Sequence, residues 1–270
     1  DLLVLDEKCH KSVIDGGTLS GARMQFFDHN DTEHLAQILD KNKDKRILVA
    51  VDGVYSMDGD LPNLPEIVKI CDLFPDVRIY IDEAHSTLIF GANGRGVAEY
   101  FGLEDKIGIS FGTLSKSFGG VGGFVCSNAK IIRYLKGYAS SYSFSCASSP
   151  PVVAGLIKAL EIATRDSTLR DKLWENTHYF KKNLQDLKLD LGNTESQVIP
   201  IIIGSSGELL FEMARDVQKK GLFLLPIDFP AVPATSRRFR ISVSSQLTKD
   251  EIDKACNIIE DSIAKRLKKK

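Results

Sequence analysis

Short, nearly continuous apolar runs alternate along the first half of the chain with stretches whose apolar residues recur every three or four positions. The runs at residues 2–5, 46–51, 77–81, 107–110 and 123–126 predict strands, and residues 32–39 and 64–73 predict helices. Apolar strands separated by helices predict a mainly parallel sheet buried on both faces, hence an α/β architecture. The texture changes at Pro150-Pro151, where proline suits a first helical turn. Residues 152–164 are apolar nearly all round and predict a buried helix, and Leu169, Leu173, Phe180, Leu184 and Leu187 mark a second. A strand at 198–203, a helix at 208–219, strands at 222–225 and 239–243 and a last helix complete the pattern. Thr248 and Glu251 spell a capping box for that last helix. The expected organisation is a large sheet domain over residues 1–165 and a small α+β domain over 166–270.

Composition narrows the function classes. The chain has 270 residues, 43% hydrophobic and 26% charged, as a folded globular protein should. A net charge of -1 argues against nucleic-acid binding, and no apolar run is long enough to span a membrane. Five scattered cysteines without a CxxC pair give neither a disulfide framework nor a zinc site, so a cytoplasmic setting is expected. The opening residues DLLVLDE already read as a strand, as if the chain began in mid-fold. The closing run at 265–270 reads as a solvated basic helix end.

Two segments carry candidate chemistry. Asp82-Glu83-Ala84-His85 spells a helicase motif, but a helicase also needs a phosphate-cradling loop with a glycine before the lysine. Gly112-Thr113-Leu114-Ser115-Lys116-Ser117 lacks that glycine and falls on the wrong side of the motif. A different reading joins the same segments. Asp82 ends an aliphatic strand, placing a carboxylate at the carboxyl edge of a sheet, where open α/β folds bind ligands. Lys116 follows the next strand and precedes the glycine-rich Gly119–Gly123 stretch, where desolvation would leave a neutral amine nucleophile. A Schiff-base lysine and an aspartate facing a pyridinium nitrogen are the two anchors of pyridoxal phosphate. Taken singly, each residue reads better as a surface lysine or a strand-end aspartate.

Five segments in order settle the choice: His10-Lys11-Ser12, Ser56-Met57-Asp58-Gly59-Asp60, Asp82-Glu83-Ala84-His85, Gly94-Arg95-Gly96 and Thr113-Leu114-Ser115-Lys116. In this order and spacing the chain resembles the α-oxoamine synthases, fold-type I pyridoxal-phosphate enzymes that condense an amino acid with an acyl thioester. The resemblance implies a large domain of that fold, a small C-terminal domain, and an N-terminal part of the family fold that would precede Asp1. It implies Lys116 as the lysine that holds the cofactor and later removes the substrate's α-proton. Asp82 would face the pyridine nitrogen, His85 and Ser56 the ring oxygen, and Thr113 the phosphate, while His10 would stack on the ring. Arg240, in Arg238-Phe239-Arg240-Ile241-Ser242, matches the arginine that grips the amino-acid carboxylate. The loop beginning Tyr142-Ser143-Phe144-Ser145 resembles one that reaches a neighbouring subunit's phosphate, although Cys146-Ala147-Ser148-Ser149 intervene before the prolines. Ser145 is the candidate for that contact, and a homodimer with shared active sites is implied.

The leading expectation is therefore a pyridoxal-phosphate C-acyltransferase acting on a small amino acid and an acyl-CoA, usually with decarboxylation. An aminotransferase or lyase of the same fold, and a non-catalytic or truncated partner subunit, are the alternatives. His10 and His85 with the S-M-D-G-D run favour the synthase, and retention of Lys116 and Asp82 counts against a non-catalytic role. The Phe229-Pro230-Ala231-Val232-Pro233 stretch resembles long-chain, sphingolipid-forming members, but the S-M-D-G-D run occurs in several branches, so the acyl chain stays open.

Overall fold

The computed structural model of the chain describes residues 1–204 and 206–267; positions 268–270 of the basic C-terminal run lie outside the described residues. The chain divides into two compact units, Asp1–Tyr55 with Leu61–Ser167, and Ser56–Asp60 with Thr168–Lys270. The short Ser56–Asp60 segment thus belongs with the C-terminal half of the sequence.

The first unit runs β1 (Leu2–Asp6), α1 (Lys11–Ser20), β2 (Arg23–Phe27), α2 (Thr32–Lys41), β3 (Ile47–Asp52), α3 (Leu64–Cys71), β4 (Val77–Asp82), α4 (Val97–Tyr100), β5 (Ile109–Thr113), β6 (Gly123–Ser127), α5 (Ala129–Tyr138), α6 (Ser140–Ser143) and α7 (Pro150–Arg165). Its strands form one sheet in the order β2-β1-β3-β4-β5-β6, parallel except that β6 runs antiparallel to β5. In β3 both parities of side chain are buried, so the centre of the sheet is covered on both faces, as its unbroken Ile-Leu-Val-Ala-Val run predicts. The other end of the sheet differs: β6 is largely exposed, and α7 has no buried residue. The expectation of a buried helix at 152–164 is corrected here. Its Ile157 and Leu160 are about half exposed.

Two elements near the site escape the hydrophobic pattern. Helix α1 carries Gly16 and Gly17, poor helix formers, and only Val13 and Ile14 as a local apolar face. It is held by its ends: His10 Nδ1 accepts the Ser12 N–H, and Gly21 closes the helix in a left-handed conformation. Gly17 leaves room for the Met24 side chain from β2, which a methyl group would displace. Strand β2 is an edge strand interrupted by Arg23 and Gln25, so no apolar run announces it.

The second unit contains α8 (Thr168–Asp186), β7 (Val198–Ile202), α9 (Gly207–Lys219), β8 (Leu225–Ile227), β9 (Arg238–Ser242) and α10 (Lys249–Ile259). Its antiparallel sheet has the order β7-β9-β8. The strand expected at 222–225 begins only at Leu225, because the Leu222 N–H is used to close α9 on the Val217 carbonyl. The Thr248–Glu251 capping box is present on α10. Among the described residues no helix is long and apolar enough to cross a membrane.

Candidate active site

The strand order reverses between β1 and β3, which makes the crevice at their carboxyl ends the ligand position of an open α/β sheet. Three strands end there in aspartates: Asp6 on β1, Asp52 on β3 and Asp82 on β4, each buried. His10 follows β1 and donates its backbone N–H to Asp52, 3.1 Å from Oδ2 and 3.3 Å from Oδ1. Its ring is exposed and tied back to Ser12, with Nδ1 2.8 Å from the Ser12 hydroxyl. Asp82 is the register partner of Asp52 on the neighbouring strand. Asp82 Oδ1 accepts the Ala84 N–H at 2.9 Å, and no described residue donates to Oδ2. Burial raises the Asp82 carboxyl above its ordinary range, opposed by that N–H and by the charges of Lys116 and His10.

The turn after β4 brings His85, half-buried, three residues past Asp82. Glu83 is structural. Its buried carboxylate accepts the Val97 and Ala98 N–H groups at 2.8 and 2.9 Å and the Ser86 hydroxyl, capping α4. A methyl group at Gly96, whose φ is 119°, would overlap that carboxylate, which explains the last glycine of Gly94-Arg95-Gly96.

Strand β5 ends at Thr113, three residues beyond the expected limit, and delivers Lys116 on the loop to β6. The loop is closed by Leu114 N–H to Gly122 carbonyl at 2.9 Å, Gly120 N–H to Leu114 carbonyl at 2.8 Å and Gly119 N–H to Lys116 carbonyl at 3.0 Å. Half-buried Thr113 has its Oγ1 2.8 Å from Ser115 Oγ and within reach of the Gly122 carbonyl. Lys116 itself is solvent-exposed, so the desolvation expected from the glycine-rich surroundings is not provided by the described residues. Ser145 is also exposed, and its hydroxyl donates to the Ser141 carbonyl at 2.6 Å.

The remaining candidates lie in the second unit. Arg240, on β9, donates from one terminal nitrogen to the Ser56 carbonyl at 3.3 Å. Its Nε is buried without a partner, and no carboxylate of the described residues pairs with it. Burial lowers the guanidinium's pKa from its ordinary value, though an arginine keeps its charge. The neighbouring Arg238 is buried and bonds Asp58 at 2.6 Å and the Met57 carbonyl at 3.0 Å. Gly59, at φ 73°, lies against the Val198 carbonyl where a side chain would overlap. Met57, Asp58 and Gly59 of the S-M-D-G-D run are therefore clamps that fix the segment, and the Ser56 carbonyl accepts from Arg240.

The sequence reading missed Asp52. The signal was present, since Val51-Asp52-Gly53 repeats the strand-end carboxylate pattern that singled out Asp82.

The sequence profile of the family described as "Aminotransferase class I and II" matches residues 1–259. Serine palmitoyltransferase of Sphingobacterium spiritivorum is 41% identical over 256 residues, covering 94% of this chain and 64% of that protein. The 8-amino-7-oxononanoate synthase of Thermoanaerobacter pseudethanolicus is 39% identical over 262 residues, covering 96% of this chain and 66% of that protein. A solved structure of serine palmitoyltransferase from S. paucimobilis, described with a bound PLP–myriocin aldimine, superposes with a TM-score of 0.94 at 30% identity, covering 100% of this chain and 68% of that one. The chain belongs to the aminotransferase class I and II family, and its relatives are those of the α-oxoamine synthase branch. It has the fold-type I architecture and spans just under two thirds of the length of these two curated relatives.

Proposed function

We propose that this chain is part of a pyridoxal-phosphate C-acyltransferase that joins a small amino acid to the acyl group of an acyl-CoA, in most members with loss of carbon dioxide. The observation that carries the reading is the gathering of Asp82, His85, His10 and Lys116 in one unit of the family fold, with His10 bonded across the switch point. The site fits the cofactor: Asp82 is a buried, raised carboxylate with an oxygen open to a donor, and a ring N–H would offset its desolvation. Bound pyridoxal phosphate supplies an electron sink that stabilises negative charge at the amino acid's Cα.

The chain's residues have the following roles. Asp82 keeps the ring nitrogen protonated, and His10 holds the ring face. His85 and Ser56 donate toward the ring oxygen, and Thr113 toward the phosphate. Lys116 would hold the cofactor through Nζ, and the same amine in its neutral form would be the base for the amino acid's α-proton. Arg240 takes the amino acid's carboxylate with a fork that no carboxylate of the described residues engages.

The working unit in this reading is a cytoplasmic homodimer with shared sites, in which Ser145 reaches the partner's phosphate after leaving the Ser141 carbonyl. What supports it is that large apolar side chains on and between α5 and α7 stand exposed, Tyr138, Phe144 and Ile157 among them, as they would on a face that a second copy covers.

The reading is tested by following thiol release from short and long acyl-CoAs with glycine, alanine, serine or threonine. Thiol release that depends on the amino acid supports it, whereas conversion of the amino acid to its oxo acid without thiol release favours an aminotransferase. In that assay Arg240→Ala raises KM for the amino acid about tenfold to a hundredfold, the range for a lost charge-assisted hydrogen bond. An unchanged KM removes the carboxylate from Arg240.

A further inference from the structure

Of the three strand-end aspartates, two have evident partners. Asp6 accepts the Lys8 and Asn30 N–H groups and lies 2.9 Å from His29 Nδ1. Asp82 faces the cofactor in the reading above. Asp52, only 4% exposed, has neither a side-chain partner among the described residues nor a place against the cofactor. Its hydrogen bonds are to the His10 backbone N–H alone, and its register neighbour is another buried carboxylate.

Two anions side by side in a buried crevice are costly, and the pair can lower that cost by keeping one proton. Burial, then the Asp82 charge, pushes Asp52 up to about 8, against the opposing pull of the His10 N–H and Lys116. Besides Asp82 on β4, the groups that face Asp52 are Asp6 on β1, Cys9 and His10 after it, Tyr55 beyond β3, Tyr80 on β4 and Lys116 on the β5–β6 loop. Burial raises the Cys9 thiol and both tyrosines beyond their ordinary range, so these three stay neutral and Lys116 is the only lysine or arginine of the set.

We propose that Asp52 is a positioning residue of this site: its carboxyl group fixes the His10 backbone and carries the one proton the aspartate pair retains, leaving Asp82 as the single anion facing a bound cationic ring. The inference rests on the cofactor reading above and deepens it. His10 N-caps α1, so the same hydrogen bond sets both the start of that helix and the place from which the imidazole approaches the cofactor. A neutral Asp52 matches one pyridinium charge with one carboxylate.

The sign of the pH effect follows from the direction of the shift. The folded chain holds the Asp52 proton between the ordinary 3.8 and about 8, where the unfolded chain has lost it, so stability falls as pH rises through that window. Asparagine mimics the protonated carboxyl, keeps an oxygen for the His10 N–H, and has no proton to lose. The melting temperature of Asp52→Asn should therefore exceed that of the unsubstituted chain by a margin that grows from about pH 5 to about pH 8. Pyridoxal phosphate affinity, read by fluorescence titration at neutral pH, should stay within about threefold in Asp52→Asn and weaken roughly tenfold in Asp52→Ala, the size of one lost hydrogen bond. Asp52→Val, which fills the space without an acceptor, gives the same comparison if the alanine variant does not fold. A melting-temperature margin that is constant with pH overturns the proton assignment. Alanine or valine variants that bind the cofactor as tightly as the asparagine variant overturn the positioning role. If the unsubstituted chain binds no pyridoxal phosphate, the cofactor reading fails, while the pH dependence of the margin still decides where the proton lies.

Discussion

The Lys116→Ala protein lacks the visible absorption of lysine-bound pyridoxal phosphate and turns over roughly 10²–10⁴ times more slowly, the range for removal of a general base. Two losses combine in this variant. Without Nζ the cofactor has no covalent anchor, and the amino acid's α-proton has no acceptor of matched basicity. The position leaves little room for substitution by a neighbour, because the hydrogen bonds of the Thr113–Gly123 loop fix the backbone on both sides of Lys116. Absorption spectra and single-turnover rates with saturating amino acid check the expectation. A variant that keeps the visible band through a different lysine removes Lys116 from the role.

The second large effect is electronic. Asp82→Asn keeps the fold, since an amide oxygen still accepts the Ala84 N–H, but it cannot hold the ring nitrogen protonated. At about 4 Å and an effective dielectric near 20 an ion pair is worth about 4 kcal/mol, which is roughly a thousandfold in rate. The loss should appear in exchange of the amino acid's α-proton with solvent deuterium, measured without acyl-CoA, with cofactor retained at reduced affinity. An exchange rate equal to that of the unsubstituted chain would sink the role given to Asp82.

How much of this was legible in the sequence depends on which physical signal each residue carries. The central strands were visible because burial on both faces demands unbroken aliphatic runs, and β3 and β4 have them. Asp82 was visible because a carboxylate at the end of such a run has no core reason to be there. Asp6 and Asp52 obey the same logic. All three strands were predicted one residue short, and what singled out Asp82 was the Asp-Glu-Ala-His motif that it begins, which Asp6 and Asp52 lack. Helix α1 and strand β2 carry no period, since α1 is held by its caps and β2 is a polar edge.

Other readings misjudged the setting of a residue or an element. The apolar period of α7 gives its intrinsic preference and not what covers it, and none of its residues is buried. Lys116 was expected to be desolvated by glycines, yet glycines cover little surface, and its loop is open. The S-M-D-G-D run was used to distinguish reaction types. Its Asp58 and Gly59 answer instead to Arg238 and Val198, contacts from residues more than a hundred positions away that no local reading contains.

The central claim is that Lys116 is the residue joined to pyridoxal phosphate. It is tested most directly by incubating the protein with the cofactor, reducing with borohydride, and mapping the phosphopyridoxyl group by peptide mass spectrometry. The account predicts a single modified lysine, in the peptide containing Thr113-Leu114-Ser115-Lys116, with modification suppressed when an amino acid substrate is added before reduction. Label spread over surface lysines, or confined to a peptide without Lys116, would contradict it.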